Sequence, residues 1–167
     1  NGADMSALEM HDLVARVVQM KTPNDRDVGE LAEQLARCWI VDGVHSLPVS
    51  LELLQALLCR PDIATRTRTF DVLVSTATVF AVAKHNESMP LYANWLLSEL
   101  VVYLHDSREN SEAVWRSALG ATMLLSTSEG KGVLSCIRAL HPRALRYMLE
   151  RCVIYRWSSS LHAFLCR

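Results

Sequence analysis

Hydrophobic residues return at three- and four-residue steps along most of the chain, which is the spacing of helices that bury one side. In the first such segment Leu8, Leu13 and Val17 share a side. Proline, glycine and clusters of turn-forming residues separate one segment from the next. The pattern predicts an all-α fold of about eight helices, at about 6–20, 28–41, after Pro48, 62–84, 90–105, 112–125, 133–140 and 142–157, with a short apolar fragment at 161–166.

The segment 62–84 is open to two interpretations. Thr65, Thr67 and Thr69 alternate with arginines, and a β-branched run follows, which is typical of a strand. The segment also begins after a Pro-Asp pair, is longer than an ordinary strand and has helical neighbours. These features favour a helix whose β-branched residues are buried, because packing overrides a weak helix propensity.

Polar residues suggest where two of the helices begin. Ser50 is expected to cap the third helix, since a serine hydroxyl accepts hydrogen bonds from the first backbone N–H groups. Asp25 and Asp27 are predicted to lie in the loop before the second helix, in solvated turn and capping roles. Gly43 is expected to stop that helix.

The order of the predicted helices carries a resemblance. Pro48, Pro61, Pro90 and Pro142 stand at helix entrances, and the helices can be paired in units of about 40 residues. In helix density, a buried central helix and these proline-marked starts, the chain resembles armadillo-like and HEAT-like α-helical repeat proteins over most of its length. The resemblance implies helices stacked as antiparallel pairs in a right-handed solenoid. An irregular helical bundle is the alternative.

The composition is that of an ordinary globular domain. Of the 167 residues, 50% are hydrophobic, 7% aromatic and 21% charged, which excludes disordered and fibrous chains. We expect residues 1–167 to form a single α-helical interaction domain. A domain of this kind is expected to be one part of a longer scaffold protein. No apolar stretch reaches the roughly 18 residues of a membrane span, so no membrane partner is expected. The odd count of five cysteines predicts reduced thiols and an intracellular location, cytoplasmic or nuclear.

No motif in the sequence points to a metal or to covalent catalysis. Cys-x-x-Cys and His-Glu-x-x-His are both absent. A zinc site can be composed only from His162 and Cys166, with Cys136 and His141 nearby. The glycine-containing segment 128–132 lacks the spacing of a phosphate-binding loop and joins two predicted helices. We therefore expect no catalytic residue, no cofactor and no metal.

Asp71 is the acid that stands out, because it lies within an apolar segment. It is expected to pair with Arg68 or Arg66, to face solvent or to carry a function. An enzyme or small-ligand-binding domain with a site between helices is the alternative function. The candidate residues for such a site are His85, His105, His141 and Asp71.

Charge is distributed unevenly along the chain. Residues 1–60 hold nine acids and five bases, whereas residues 129–167 hold two acids and seven bases. The basic end predicts an acidic partner or self-complementary contacts within a longer chain. A homo-oligomer is a separate alternative. The net charge of −1 argues against a nucleic-acid partner.

The predicted helix at 142–157 carries basic and aromatic residues on the side opposite its apolar one. Arginine, tyrosine and tryptophan are enriched where proteins bind each other. We therefore predict a non-catalytic protein–protein interaction module that binds a peptide or helix of a partner and acts as a scaffold or adaptor in a larger complex. The predicted binding residues, named here the Arg/aromatic surface, are Arg143, Arg146, Tyr147, Arg151, Ile154 and Trp157.

Overall fold

A computed structural model describes residues 2–20, 22–83 and 89–125, together with Arg143, Arg146 and Glu150. The described residues form helices and no strand, which confirms the all-α class. The predicted helix at 133–140 and the fragment at 161–166 lie outside them, as does the predicted helix at 142–157 apart from three positions. The helices are α1 (Gly2–Gln19), α2 (Asp25–Asp42), α3 (Leu47–Leu58), α4 (Ile63–Val82), α5 (Met89–Asp106) and α6 (Glu112–Leu125), with a 3₁₀ turn at Gly43–Ser46 between α2 and α3.

The threonine-rich segment is the helix α4, as predicted. Asp62 caps it, with its carboxylate accepting from the backbone N–H of Thr65 at 3.0 Å and from the hydroxyl of the same residue. The hydroxyl hydrogen bond lowers the pKa of Asp62. Inside the helix, the buried hydroxyls of Thr69 and Thr76 donate to the carbonyl oxygen one turn earlier. A buried threonine satisfied in this way is compatible with a helix interior.

The start of α2 corrects the predicted place of two acids. Asn24 caps the helix by accepting from the backbone N–H of Asp27 at 3.0 Å, and the Asp27 carboxylate accepts from the backbone N–H of Asn24 at 3.1 Å. This reciprocal capping box starts the helix at Asp25, one turn before the predicted start. Asp25 and Asp27 are therefore in the first turn, where the helix dipole favours carboxylates, and not in a loop.

The role predicted for Ser50 is wrong. The helix α3 follows directly on the 3₁₀ turn and begins at Leu47, so Ser50 lies in its interior and is fully buried. Its hydroxyl accepts from the indole N–H of Trp39 at 2.9 Å and donates to the carbonyl of Ser46 at 2.9 Å. The Ser50 hydroxyl therefore provides the hydrogen-bond acceptor for the buried indole N–H of Trp39.

The odd-numbered helices form one layer, in which α3 packs against both α1 and α5. The guanidinium of Arg60, just after α3, donates to the carbonyl of Val18 near the end of α1 at 2.8 Å. The Sγ of Cys59 lies 2.8 Å from the Oη of Tyr103 near the end of α5. All three helices therefore end at the same edge of this layer and run in the same direction.

The even-numbered helices form the second layer, in which α4 packs against both α2 and α6. Arg68 of α4 reaches Asp25 at the start of α2, and further along the ring of Phe80 packs edge-on against Trp39 with centroids 5.6 Å apart. An ion pair joins the start of α4 to the residues just before α6. The helices α2, α4 and α6 therefore run parallel, and short connections carry the chain between the layers.

That ion pair is largely buried, and all three nitrogens of the guanidinium donate hydrogen bonds. Arg66 contacts both carboxylate oxygens of Glu109, at 2.9 and 3.2 Å. Its remaining amino group donates to the carbonyls of Arg60 and Pro61 at 3.0 and 2.7 Å. Because a buried guanidinium is stabilised only when its donors are paired, this arrangement fixes the α3–α4 turn against the α5–α6 turn.

Aromatic rings fill the core between the layers near the end of α2. The ring of Tyr92 packs edge-on against Trp39 with centroids 6.0 Å apart, and Phe80 touches both. Gly43 ends α2 with a φ of +56°, a conformation that favours glycine, and a Cβ there would lie 3.3 Å from the Tyr92 hydroxyl. The predicted helix stop at Gly43 is confirmed.

Ser50→Ala should lower the free energy of unfolding by about 1–3 kcal/mol, because it leaves the buried indole N–H of Trp39 without its acceptor. Urea denaturation measures the change. Ser98→Ala is the matched control, since this buried hydroxyl only donates to the carbonyl of Trp95 and its loss leaves no donor unsatisfied. Equal effects of the two substitutions would contradict the assigned role.

Candidate functional site

A cleft of about 440 Å³ lies across the layer of α2, α4 and α6. We call it the α2–α4–α6 cleft. All three helices contribute to its lining: Val28 and Gly29 from α2, Phe70, Val74 and Ser75 from α4, and Ser117, Gly120, Ala121 and Leu124 from α6, beside a charged group at one end. The cleft exists because these helices run parallel and present their outer sides to the same face of the protein.

The charged group consists of Arg68 with Asp25 and Asp71. The Nη1 of Arg68 lies 2.6 Å from Oδ1 of Asp25 and 3.6 Å from Oδ2 of Asp71. Asp25 is almost fully exposed, and Asp71 is about half exposed. Two carboxylates share one guanidinium, so this end of the cleft carries a surplus negative charge.

The surroundings of Asp71 disfavour its ionised form. Partial burial raises its pKa, and the nearby carboxylate of Asp25 raises it further, whereas Arg68 opposes both effects. An aspartate whose pKa is raised disfavours folding in its ionised form.

Small residues keep the middle of the cleft wide. Gly29 and Gly120 lie inside helices, where glycine costs roughly 0.5–1 kcal/mol relative to alanine. A Cβ added at either would meet nothing within 4 Å, so internal packing does not require glycine there. Ser75 and Ser117 add half-buried side chains with hydroxyl groups to the same walls. Among the described residues, no side chain fills the space above these two glycines.

Apolar residues form the floor and the rim of the cleft. Val28 and Phe70 are buried beneath it, whereas Leu124 is 73% exposed at its edge. The apolar character continues at the carboxyl end of α4, where Val82 follows Asp71 by three turns on the same side of the helix and is 80% exposed. The surface of this layer therefore changes from charged to apolar along the direction of its helices.

The structure brings together two residues that the sequence singled out. Asp71 and Arg68 pair as predicted, whereas Arg66 pairs with Glu109 instead. His105 lies at the end of α5, with its Nδ1 3.2 Å from Asp106, and does not line the cleft. The other two candidates, His85 and His141, lie outside the described residues.

The Arg/aromatic surface is described at two of its six positions. Arg143 and Arg146 are helical and exposed. Tyr147, Arg151, Ile154 and Trp157 lie outside the described residues. So do the residues from which a zinc site was composed: Cys136, His141, His162 and Cys166.

Neither a metal site nor a membrane span is found where the structure describes the chain. Within residues 2–20, 22–83 and 89–125, no three histidine, cysteine, aspartate or glutamate side chains gather as metal ligands would. None of the helices described there is long and apolar enough to cross a bilayer.

Two of the five cysteines are described, and both are free thiols. Cys38 is buried, and burial raises its pKa, with smaller contributions from Glu9 and Asp42. Cys59 is exposed and contacts the Tyr103 hydroxyl, which raises the pKa of Tyr103 to about 12. Reduced thiols are thus found at both described positions.

Most of the cleft was not predicted from the sequence. Asp25, Gly29, Ser75, Ser117 and Gly120 lie on separate helices, and only the parallel packing brings them together. The one available signal is the pair of glycines inside helices, since glycine in a helix interior usually has a packing or functional reason.

No protein family, no curated protein and no solved structure matches the chain. Function is therefore inferred from the residues of the cleft and of the Arg/aromatic surface.

Asp71→Asn should raise the free energy of unfolding at pH 7 by up to ~0.5 kcal/mol, a small change because the half-exposed side chain is screened by solvent. The gain should vanish at pH 3, below the ordinary pKa of about 3.9, since Asp71 is then protonated in both the folded and the unfolded wild-type chain. Urea denaturation at the two pH values measures this. Asp12→Asn, exposed on α1, is the control. A loss of stability at pH 7 would show that folding requires the Asp71 charge.

Proposed function

We propose that this protein is a non-catalytic interaction module that binds a peptide or helix of another protein in the α2–α4–α6 cleft and serves as a scaffold or adaptor. The observation that carries the proposal is the cleft itself, with charge at one end, small residues in the middle and exposed apolar groups at the rim. Such a sequence of surfaces suits an elongated partner with both polar and apolar side chains.

The openness of the cleft favours a macromolecule over a small substrate. The side chains of Asp25 and Asp71 are half exposed or more, whereas small-molecule sites enclose most of their ligand. The exposed Val82 lies eleven residues after Asp71 on α4, about 16 Å along the helix axis, which is beyond the reach of a compact ligand held at Asp71. An enzyme or small-ligand site between helices is the alternative, and the partner experiment below separates the two.

We also propose that the described helices are part of a solenoid of stacked antiparallel pairs, similar to armadillo-like and HEAT-like proteins. The support is the direction of the helices: α1, α3 and α5 run parallel in one layer and α2, α4 and α6 in the other. Pairs that stack in register produce this order, and they form a continuous surface from successive inner helices. An irregular bundle has no reason to keep the directions of both layers uniform.

The Arg/aromatic surface is a second proposed contact. The exposure of Arg143 and Arg146 supports it, because both arginines are available to the carboxylates of a partner. The thiols of Cys38 and Cys59 support an intracellular setting for these interactions. A protein partner is favoured over nucleic acid because the whole chain carries a net charge of −1.

Filling the cleft should abolish partner binding. In Ser117→Trp an indole occupies the space between α4 and α6, and we expect the recovery of at least one partner to fall tenfold or more in a pull-down with the whole chain. Val18→Trp is the matched control, since Val18 is exposed on α1 in the other layer. Circular dichroism verifies that both variants are folded. Equal recovery of every partner by wild type and both variants would refute the cleft as the binding site.

A further inference from the structure

We infer that the face with Arg143 and Arg146 of one copy docks into the charged end of the α2–α4–α6 cleft of a second copy, so that chains associate head to tail. The inference rests on the proposed function, because it assigns a partner to the same cleft. It brings together two described surfaces of opposite charge.

The first argument is the complementarity of charge. At the cleft, Asp25 and Asp71 share the single guanidinium of Arg68, so one negative charge is uncompensated. Residues 129–167 have a surplus of five bases, and two of these, Arg143 and Arg146, are exposed. Opposite charges on different parts of one surface attract copies of a protein to each other and orient them.

The second argument is the spacing of the groups. One nitrogen of Arg68 lies 2.6 Å from an oxygen of Asp25 and 3.6 Å from an oxygen of Asp71, so these oxygens are at most about 6 Å apart. Arg143 and Arg146 are three residues apart on a helix, which places their Cβ atoms about 5–6 Å apart on one side. The two arginines can therefore meet the two carboxylates one to one.

The third argument is the order of charges that results. The incoming arginines would flank the two carboxylates, with Arg68 between them, so positive and negative groups alternate along the contact. Each carboxylate then has a guanidinium on both sides. Partial burial and the neighbouring carboxylate raise the pKa of Asp71, and an additional cation reverses that effect. Docking thus relieves the cost of ionised Asp71.

The two contact surfaces are different, so the association is heterologous. Each copy that docks leaves its own cleft and the arginine face of its neighbour available, and growth continues until a ring closes or the concentration limits it. Because the ions are partly exposed, salt weakens the contact strongly. We expect assembly to depend on both concentration and ionic strength.

Sedimentation equilibrium of the whole chain tests the inference, over about 10–500 μM protein, the range of weak self-association. The mean mass of wild type should rise with concentration at low salt and fall towards the monomer in 0.5 M NaCl. Asp25→Asn/Asp71→Asn, which leaves Arg68 as the remaining charge of that group, and Arg143→Gln/Arg146→Gln, which removes both arginines of the face, should each lose tenfold or more in association constant. Circular dichroism checks their folds.

Mixing the two double variants gives the decisive result. The intact face of the first fits the intact cleft of the second, so the mixture should form a dimer of one copy each and grow no further. Glu33→Gln/Glu112→Gln and Arg26→Gln/Arg37→Gln make the same charge changes at other described sites and should assemble like wild type. A wild type that stays monomeric, or a mixture that does not pair, overturns the inference.

The outcomes also separate this inference from the proposed function. If wild type is monomeric but Ser117→Trp still loses a partner, only self-association is refuted. If the double variants behave as expected but Ser117→Trp still recovers every other protein, the cleft serves self-association. The proposal that it binds a different protein is then refuted.

Discussion

The parallel packing of α2 on α4 is the contact on which the rest of the surface depends. At one end the buried rings of Trp39 and Phe80 fix the two helices against each other, and at the other Arg68 reaches Asp25. The aromatic contact lies in the core and sets the register, whereas the ion pair lies near the surface and follows from it. The charged end of the cleft is thus a consequence of how the apolar core is packed some three turns away along α4.

The helical class and the identity of α4 could be predicted because they depend on periodicity and length, which are local properties. The β-branched run does not become a strand, since each buried threonine hydroxyl finds a carbonyl within its own helix, as Thr76 does. Errors arose where a polar residue has a distant partner. Ser50 reads as a cap in the sequence, but its partner is the indole of Trp39, eleven residues earlier. The capping box of Asn24 and Asp27 is a local pattern, so the observed start of α2, one turn before the predicted one, was within reach of the sequence.

The cleft likewise combines residues that a local pattern predicts with residues that only tertiary packing brings together. Asp71 was recognisable as an acid within an apolar segment, and its neighbour Arg68 lies three residues away on the same helix face. Asp25 and Ser117 join them only through tertiary packing, which a helical period cannot specify. Taken alone, Asp25 and Ser117 are ordinary polar positions on their helices. The function of such a surface lies in a combination of helices, so it becomes visible only when their directions are known.

The bidentate contact between Arg66 and Glu109 has a consequence for how the molecule opens. It joins the turn between α3 and α4 to the turn between α5 and α6, in addition to the packing of α4 on α6. A stack of this kind can lose its outer units one at a time. Because Arg66 also holds the carbonyls of Arg60 and Pro61, we expect the α3–α4 and α5–α6 turns to open together as one cooperative unit.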